Sequence, residues 1–178
     1  CARVALASTY TGRVLIGLGR YEDAYDAYLR SQAVFQSIGH TDQYTSLGYA
    51  VVCMVEMGRY QEAIDEYEKV LTGLREMGRH RSARLGRPFL LGALARRGRW
   101  AAWDDSYTDF RELVEQEGYG VIFARVVELA LSHVDAVGDR SRARALAEVL
   151  IHAYEHQQAE SDIARLKAYL NAGPHLQD

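Results

Sequence analysis

The pair of residues best placed to hold a metal ion is His152 and His156, which lie four residues apart. On a helix this spacing puts both imidazoles on one face, where Glu148, Glu155 and Glu160 are near enough to complete a ligand set. The segment His-Ala-Tyr-Glu-His differs from the metalloprotease motif, because its glutamate stands next to the second histidine. We therefore expect a solvated helix face here, with no metal and no cofactor.

Other catalytic signals are weaker. Gly17-Leu18-Gly19 resembles part of a dinucleotide-binding fingerprint, but no predicted strand precedes it and no third glycine follows. The serines, histidines and aspartates stand in no nucleophile motif. We therefore predict no catalytic residue and expect that the chain is not an enzyme.

A dense run of arginines occupies residues 75–99, a stretch that contains one acidic residue, Glu76. An acidic run follows these arginines at once, and a further acidic face at 62–68 precedes them. Two interpretations stay open: the arginines are neutralised by neighbouring helices, or they form a basic stripe that binds an acidic peptide or a phosphate. Few aromatic residues interleave with them, which makes nucleic acid an unexpected partner. The arginines are Arg75, Arg79, Arg81, Arg84, Arg87, Arg96, Arg97 and Arg99, and the acidic run is Asp104, Asp105, Asp109, Glu112, Glu115 and Glu117.

The composition, 48% hydrophobic and 25% charged with a net charge of −3, is that of an ordinary globular domain. No apolar run approaches the roughly 18 residues that cross a bilayer, so we expect no membrane association and a cytoplasmic location. Cys1 and Cys53 are too few for a disulfide framework. Because helical patterning begins directly after Cys1, we expect a fragment of a larger protein rather than a lipidated N-terminus.

The elements that carry these residues repeat along the chain. The segment Gly-Arg-Tyr-Glu-Asp-Ala at Gly19 returns as Gly-Arg-Tyr-Gln-Glu-Ala at Gly58, and Gly98 and Gly138 continue the series at spacings of 39, 40 and 40 residues. A second glycine series, at residues 39, 78 and 118, keeps the same period. Such a period predicts stacked units, which we place at about 2–39, 40–78, 79–118 and 119–158 in one domain.

Apolar residues recur at three- and four-residue spacing within each unit, which predicts helices, and no segment has the pattern of a strand. Each glycine is expected to end a helix in the left-handed conformation. Thr41 or Asp42 is expected to cap its helix, and Pro88 to kink one. The predicted helices run over about 2–18, 21–37, 42–57, 60–77, 82–97, 100–117, 119–137, 141–157 and 161–172.

On these residues the chain resembles the tetratricopeptide repeat family, whose unit is an antiparallel helix pair. The family's alanine falls on Ala24, Ala63 and Ala143, and its glycine in the first helix falls on Gly12 in the first unit only. The family's aromatic residues fall on Tyr21, Tyr28, Tyr60, Tyr67, Trp100 and Tyr107, while Trp103, Arg140 and Ala147 depart from the pattern. The resemblance implies an all-α superhelical solenoid of four pairs, and we expect the last helix to cap it.

The units are longer than the family's usual 34 residues, and their length resembles that of the repeats in the sensor arms of bacterial regulators. In the family the first helices line a concave groove, which implies a binding surface of mixed polarity. We therefore expect a scaffold that binds a protein or peptide, which is acidic if the arginines form a groove. A receptor for a small molecule or signal peptide, and an accessory region of a multidomain enzyme, remain alternatives. The implied groove residues are Thr9, Arg13, Thr45, Gly48, Val52, Glu56, Gly92, Arg96, Arg125, Glu128, Ser132 and Asp135.

Overall fold

The computed structural model describes residues 2–172. Cys1, to which the fragment prediction refers, and residues 173–178 lie outside the described residues, and so does the side chain of Glu117. The described chain is helical with no strand, which confirms the all-α solenoid of helix pairs followed by a terminal helix.

The first two helix pairs are α1 (Ala2–Gly17) with α2 (Tyr21–Ser37) and α3 (Asp42–Glu56) with α4 (Tyr60–Glu76). In the third pair, α5 (His80–Gly86), a 3₁₀ turn (Arg87–Leu90) and α6 (Leu91–Arg96) together form the first helix, and α7 (Trp100–Glu117) is the second. The fourth pair consists of α8 (Val121–Glu128) and α9 (Ala130–Ala136) followed by α10 (Arg140–His156), and α11 (Glu160–Asn171) ends the solenoid.

The helices end at the glycines of both series, because each glycine takes a left-handed backbone conformation. At Gly58, with φ of 79°, the amide of Arg59 donates to the Met54 carbonyl at 2.9 Å, which closes the helix in a Schellman motif. Gln158 stands where a further glycine of the series would be, and it adopts the same conformation with φ of 53°.

Three details differ from the sequence predictions. Pro88 lies in the 3₁₀ turn, so the expected kink takes the form of a break between α5 and α6. The predicted helix over 119–137 starts later, because Tyr119 turns inward and donates to the Leu85 carbonyl at 3.2 Å, and it is also divided at Leu129. Thr41 makes no capping bond with its side chain.

The repeat residues form the helix contacts. Ala24, Ala63 and Ala143 are buried where paired helices touch, and the Tyr28 ring covers Gly12 of α1. Trp103 fills the alanine position of the third pair and stacks on Tyr107 with ring centroids 5.3 Å apart. The larger side chain is accommodated in the same stack of helices.

A cavity between the first and last repeats as the candidate functional site

Aromatic side chains fill the middle of the concave face. The ring of Phe123 on α8 stacks on Tyr49 of α3 at 5.9 Å and on Phe89 of the 3₁₀ turn at 6.2 Å. The first helices of the second, third and fourth pairs therefore meet through these rings. This part of the concave face is core and offers no open groove.

A polar contact joins the second and fourth pairs beside this aromatic cluster. Nε2 of His133 on α9 lies 2.8 Å from Oε1 of Glu56 on α3, and both side chains are almost fully buried. Gly92 of α6 lies between these helices, because a Cβ there would stand 2.9 Å from Cδ2 of His133. The missing side chain of Gly92 is what allows α3 and α9 to approach across the third pair.

The open part of the concave face is a cavity of about 1130 Å³ between the first pair and the C-terminal helices. One wall is α1 with the turn that follows it, including Tyr10, Arg13 and Val14. The opposite wall is formed by α8, α9 and α11. The superhelix therefore brings together residues that are more than a hundred positions apart in the chain.

The C-terminal wall carries a closed network of charges. Arg125 donates to the buried Asp162 at 2.7 Å, and Arg165 donates to the other oxygen of Asp162 at 2.7 Å. Arg165 also bonds Glu128, which accepts from the Tyr154 hydroxyl at 2.6 Å. Each arginine in this network is thus matched by a carboxylate, so the network itself presents little unbalanced charge.

Asp135 stands apart from this network at the same wall. Both of its oxygens accept from the Tyr169 hydroxyl, at 2.8 and 2.9 Å. Burial and this carboxylate together raise the pKa of Tyr169, so the phenol stays protonated and donates.

The N-terminal wall is apolar with a single cation. The guanidinium of Arg13 lies 4.9 Å from the centre of the Tyr10 ring, and no carboxylate of the described residues forms an ion pair with it. Burial raises the pKa of Tyr49 to about 12, and the nearby Arg13 cation opposes that rise. At the end of this wall, burial raises the pKa of Tyr21, and the Glu56 carboxylate adds to the effect.

The predicted groove residues fall into two groups. Arg13, Arg125, Glu128, Ser132 and Asp135 line the cavity. The others lie elsewhere. Gly48, Val52 and Gly92 are buried, and Thr45 is half-buried. The remaining three have partners of their own: the Thr9 hydroxyl bonds Ser31, Glu56 pairs with His133, and Arg96 donates to the Tyr60 hydroxyl.

The sequence interpretation missed the contribution of α11. The helix expected only to cap the solenoid buries the Asp162 side chain against Arg125, and it buries Leu166 as well. The cavity residues Arg165 and Tyr169 also come from α11. A carboxylate spaced three residues from an arginine is too common on helices to have revealed this site.

Three arginines of the run, Arg84, Arg87 and Arg99, pair with acids of neighbouring helices, whereas Arg96 and Arg97 donate to the uncharged Tyr60 and Gln61 side chains. Arg84 and Arg87 both reach Asp109 of α7, at 3.2 and 2.5 Å, and Arg84 also bonds Glu112. Arg99 lies 3.3 Å from Glu68 of α4. These contacts favour the interpretation in which adjacent helices balance the run.

His152 and His156 form an edge-to-face ring contact with centroids 4.7 Å apart. Within residues 2–172, no group of three or more His, Cys, Asp or Glu side chains is arranged to hold a metal ion. No helix in the same range is both long and apolar enough to span a bilayer.

A comparison with protein-family models finds the Tetratricopeptide repeat family over residues 4–76, which are the first two helix pairs. Residues 4–76 belong to the tetratricopeptide repeat family. The pairs that follow continue the same helical stack. No curated protein and no solved structure matches the chain. The match supports a scaffold for protein–protein interaction in residues 4–76.

Proposed function

We propose that this tetratricopeptide repeat chain is the regulatory arm of a larger bacterial signalling or transcription-regulatory protein, acting in the cytoplasm. It binds a protein or peptide segment in the cavity between the first and last repeats. The observation that carries the proposal is the unpaired Arg13 cation in an otherwise apolar wall, opposite a wall whose arginines are already paired.

The cavity suits a segment of polypeptide. Its volume of about 1130 Å³ exceeds the usual range for small-molecule sites, roughly 300–1,000 Å³. Tyr10, Ile16 and Leu129 offer apolar surface to side chains of the partner. A carboxylate of the partner would pair with Arg13, which makes an acidic segment the preferred one.

The test is the affinity of the chain for peptides from a library that varies in acidic content, measured by fluorescence anisotropy. Arg13→Ala is expected to weaken binding of the tightest acidic peptides by about 10- to 150-fold, the effect of losing one charge-assisted hydrogen bond of about 1.5–3 kcal/mol. Arg96→Ala is the matched control, because Arg96 donates to Tyr60 outside the cavity. Equal losses in the two variants would contradict the proposed site.

A small-molecule receptor remains the second candidate, because the same cavity combines apolar walls with a few converging polar groups. This function predicts that a metabolite raises the melting temperature in proportion to the logarithm of its concentration once saturating. A thermal-shift screen of metabolites separates the two functions. A chain that binds only peptides would show no metabolite that raises its melting temperature.

A further inference from the structure

The two ends of the solenoid have different surfaces. At the C-terminal end, the exposed residues of α11 are polar or small, as at Ser161, Ala164 and Lys167. At the N-terminal end, α1 and the turn that follows it expose large apolar side chains: Val4, Val14 and Leu18 are 61%, 63% and 66% exposed. Terminal elements of a solenoid need a polar outer face, so the outer face of α1 is built to be covered.

The uncovered residues form a regular seam along α1. Val4, Ala7, Thr11 and Val14 of α1, with Leu18 in the turn that follows, stand at spacings of three and four residues, the pattern of a helix that packs along another helix. Val14 lies at the border between this seam and the cavity. The Thr11 hydroxyl donates to the Ala7 carbonyl at 2.9 Å, so its hydrogen-bonding demand is met inside α1. Ala7 and Thr11 are small, which lets a second helix approach closely.

The repeat period shows which element covers this seam elsewhere. Thirty-nine residues after Ala7, Thr11 and Val14 stand Ser46, Ala50 and Cys53 of α3, and all three are buried. Helix α2 covers that face of α3, for example where the Ser31 and Ser46 hydroxyls meet at 3.1 Å. A helix in the position of α2 would cover the seam of α1 in the same way.

Arginines at the turns between paired helices give a second, independent indication. In the second and third pairs, such an arginine reaches back to the second helix of the preceding pair, and in the fourth pair Arg142 in the first turn of α10 does so. Arg59 lies over the Tyr25 ring at 5.4 Å, Arg99 lies 3.3 Å from Glu68, and Arg142 bonds Asp104 at 2.9 Å. Arg20 has only its own helix residue Asp23 as an ion-pair partner among the described residues, so it is free to reach a preceding helix.

Charge separates the candidate occupants. Helix α1 carries Arg3 and Arg13 and no acidic residue, so the α1 of a second copy would bring like charges together. Helices α2 and α4 are acidic near their start, at Glu22 and Asp23 in α2 and at Glu62 in α4. We propose that the outer face of α1 binds an acidic amphipathic helix of the α2 type, antiparallel to α1, as the second helix of a further repeat stacked on this end.

The test joins a copy of residues 20–38, which contain α2, to the N-terminus of the full chain through a flexible Gly-Ser linker. The linker raises the effective concentration of the helix to about the millimolar range, which offsets the low stability of an isolated helix. Docking is expected to slow amide hydrogen exchange along α1 by about tenfold or more relative to a scrambled copy.

Two variants locate the docking surface. Leu18→Glu is expected to remove the slowing, because it would bury an unpaired charge in the seam. Leu6→Glu is the matched control, since Leu6 is exposed on α1 but lies outside the seam. The proposal fails if the two variants act alike or if α1 exchanges as fast as with the scrambled copy. It also fails if the unextended chain forms a dimer in sedimentation that Leu18→Glu dissociates. The peptide-binding cavity is tested separately by Arg13→Ala.

Discussion

At the level of single residues, the distance between paired helices depends on positions without a side chain. A Cβ built on Gly12 would stand 2.7 Å from Cζ of the fully buried Tyr28 ring. The ring cannot retreat without displacing its neighbour Tyr49, whose ring centroid lies 5.1 Å away. The position is therefore intolerant of even one methyl group.

Gly12→Ala is accordingly expected to lower the free energy of unfolding by about 1–3 kcal/mol through overpacking. Gly73→Ala in α4 is the matched control, because a Cβ there meets nothing within 4 Å. That change is expected to be neutral or to stabilise by up to about 1 kcal/mol, since it removes a flexible glycine from a helix. Urea denaturation of both variants measures the difference, and similar effects in the two would contradict the assigned contact.

At the level of the helices, the glycine series made the architecture predictable from sequence. The bounds of α2 and α7 agree with the predicted 21–37 and 100–117, because glycine both ends each helix and marks the period. The inward turn of Tyr119 was not predictable. It depends on the Leu85 carbonyl in another helix pair, and no local pattern contains that information.

The end of α10 offers a stabilising substitution. Gln158 holds a φ of 53°, in a conformation that costs a residue with a Cβ about 1–2 kcal/mol. Gln158→Gly is expected to raise the free energy of unfolding by a few tenths to about 1 kcal/mol. The gain is smaller than the strain removed, because glycine also has more conformational entropy in the unfolded chain, which opposes folding. The reciprocal change Gly78→Ala, where φ is 71°, should destabilise. Thermal unfolding shows whether each variant is more or less stable than the unchanged chain. A loss of stability in Gln158→Gly would contradict the claim that the Gln158 backbone is strained.

Asp109 joins the first and second helices of the third pair. Its side chain is 14% exposed and accepts from both Arg84 and Arg87, whereas Asp105, 73% exposed, only approaches Arg87 at 3.7 Å. Asp109→Asn is expected to cost more than the 0–1 kcal/mol typical of surface pairs, and Asp105→Asn to remain within that range. Chemical denaturation at low and high salt is the measurement. Equal effects of the two changes would mean that the ion pairs of Asp109 with Arg84 and Arg87 do not stabilise the fold more than surface pairs do.

At the level of the whole molecule, the cavity was only half predictable. Arg13, Arg125 and Asp135 were assigned to a groove because they lie on first helices, and they do line the cavity. The sequence gives no measure of how tightly the superhelix turns. The contact between Glu56 and His133, 77 residues apart, and the aromatic cluster bring the second and fourth pairs together and fill the middle of the groove.

Buried tyrosines are distributed through the solenoid and couple its stability to pH. Burial raises the pKa of Tyr28, Tyr67, Tyr119 and Tyr154, and raises that of Tyr49 to about 12. In the unfolded chain the same phenols titrate near pH 10. Above that pH the folded state binds more protons than the unfolded state, so the free energy of unfolding falls as pH rises.

We therefore expect a stability plateau at neutral pH and cooperative alkaline unfolding within about one to two pH units above 10, since each such tyrosine contributes about 1.4 kcal/mol per pH unit. The measurement pairs the helical circular-dichroism signal with tyrosinate absorbance between pH 8 and 12. Tyr49→Phe removes one titrating group and should make the fall of stability with pH less steep, even if the lost hydroxyl changes the plateau itself. Full tyrosinate absorbance in a chain that is still helical and folded would show that the aromatic cluster is open to solvent, contrary to the packing described.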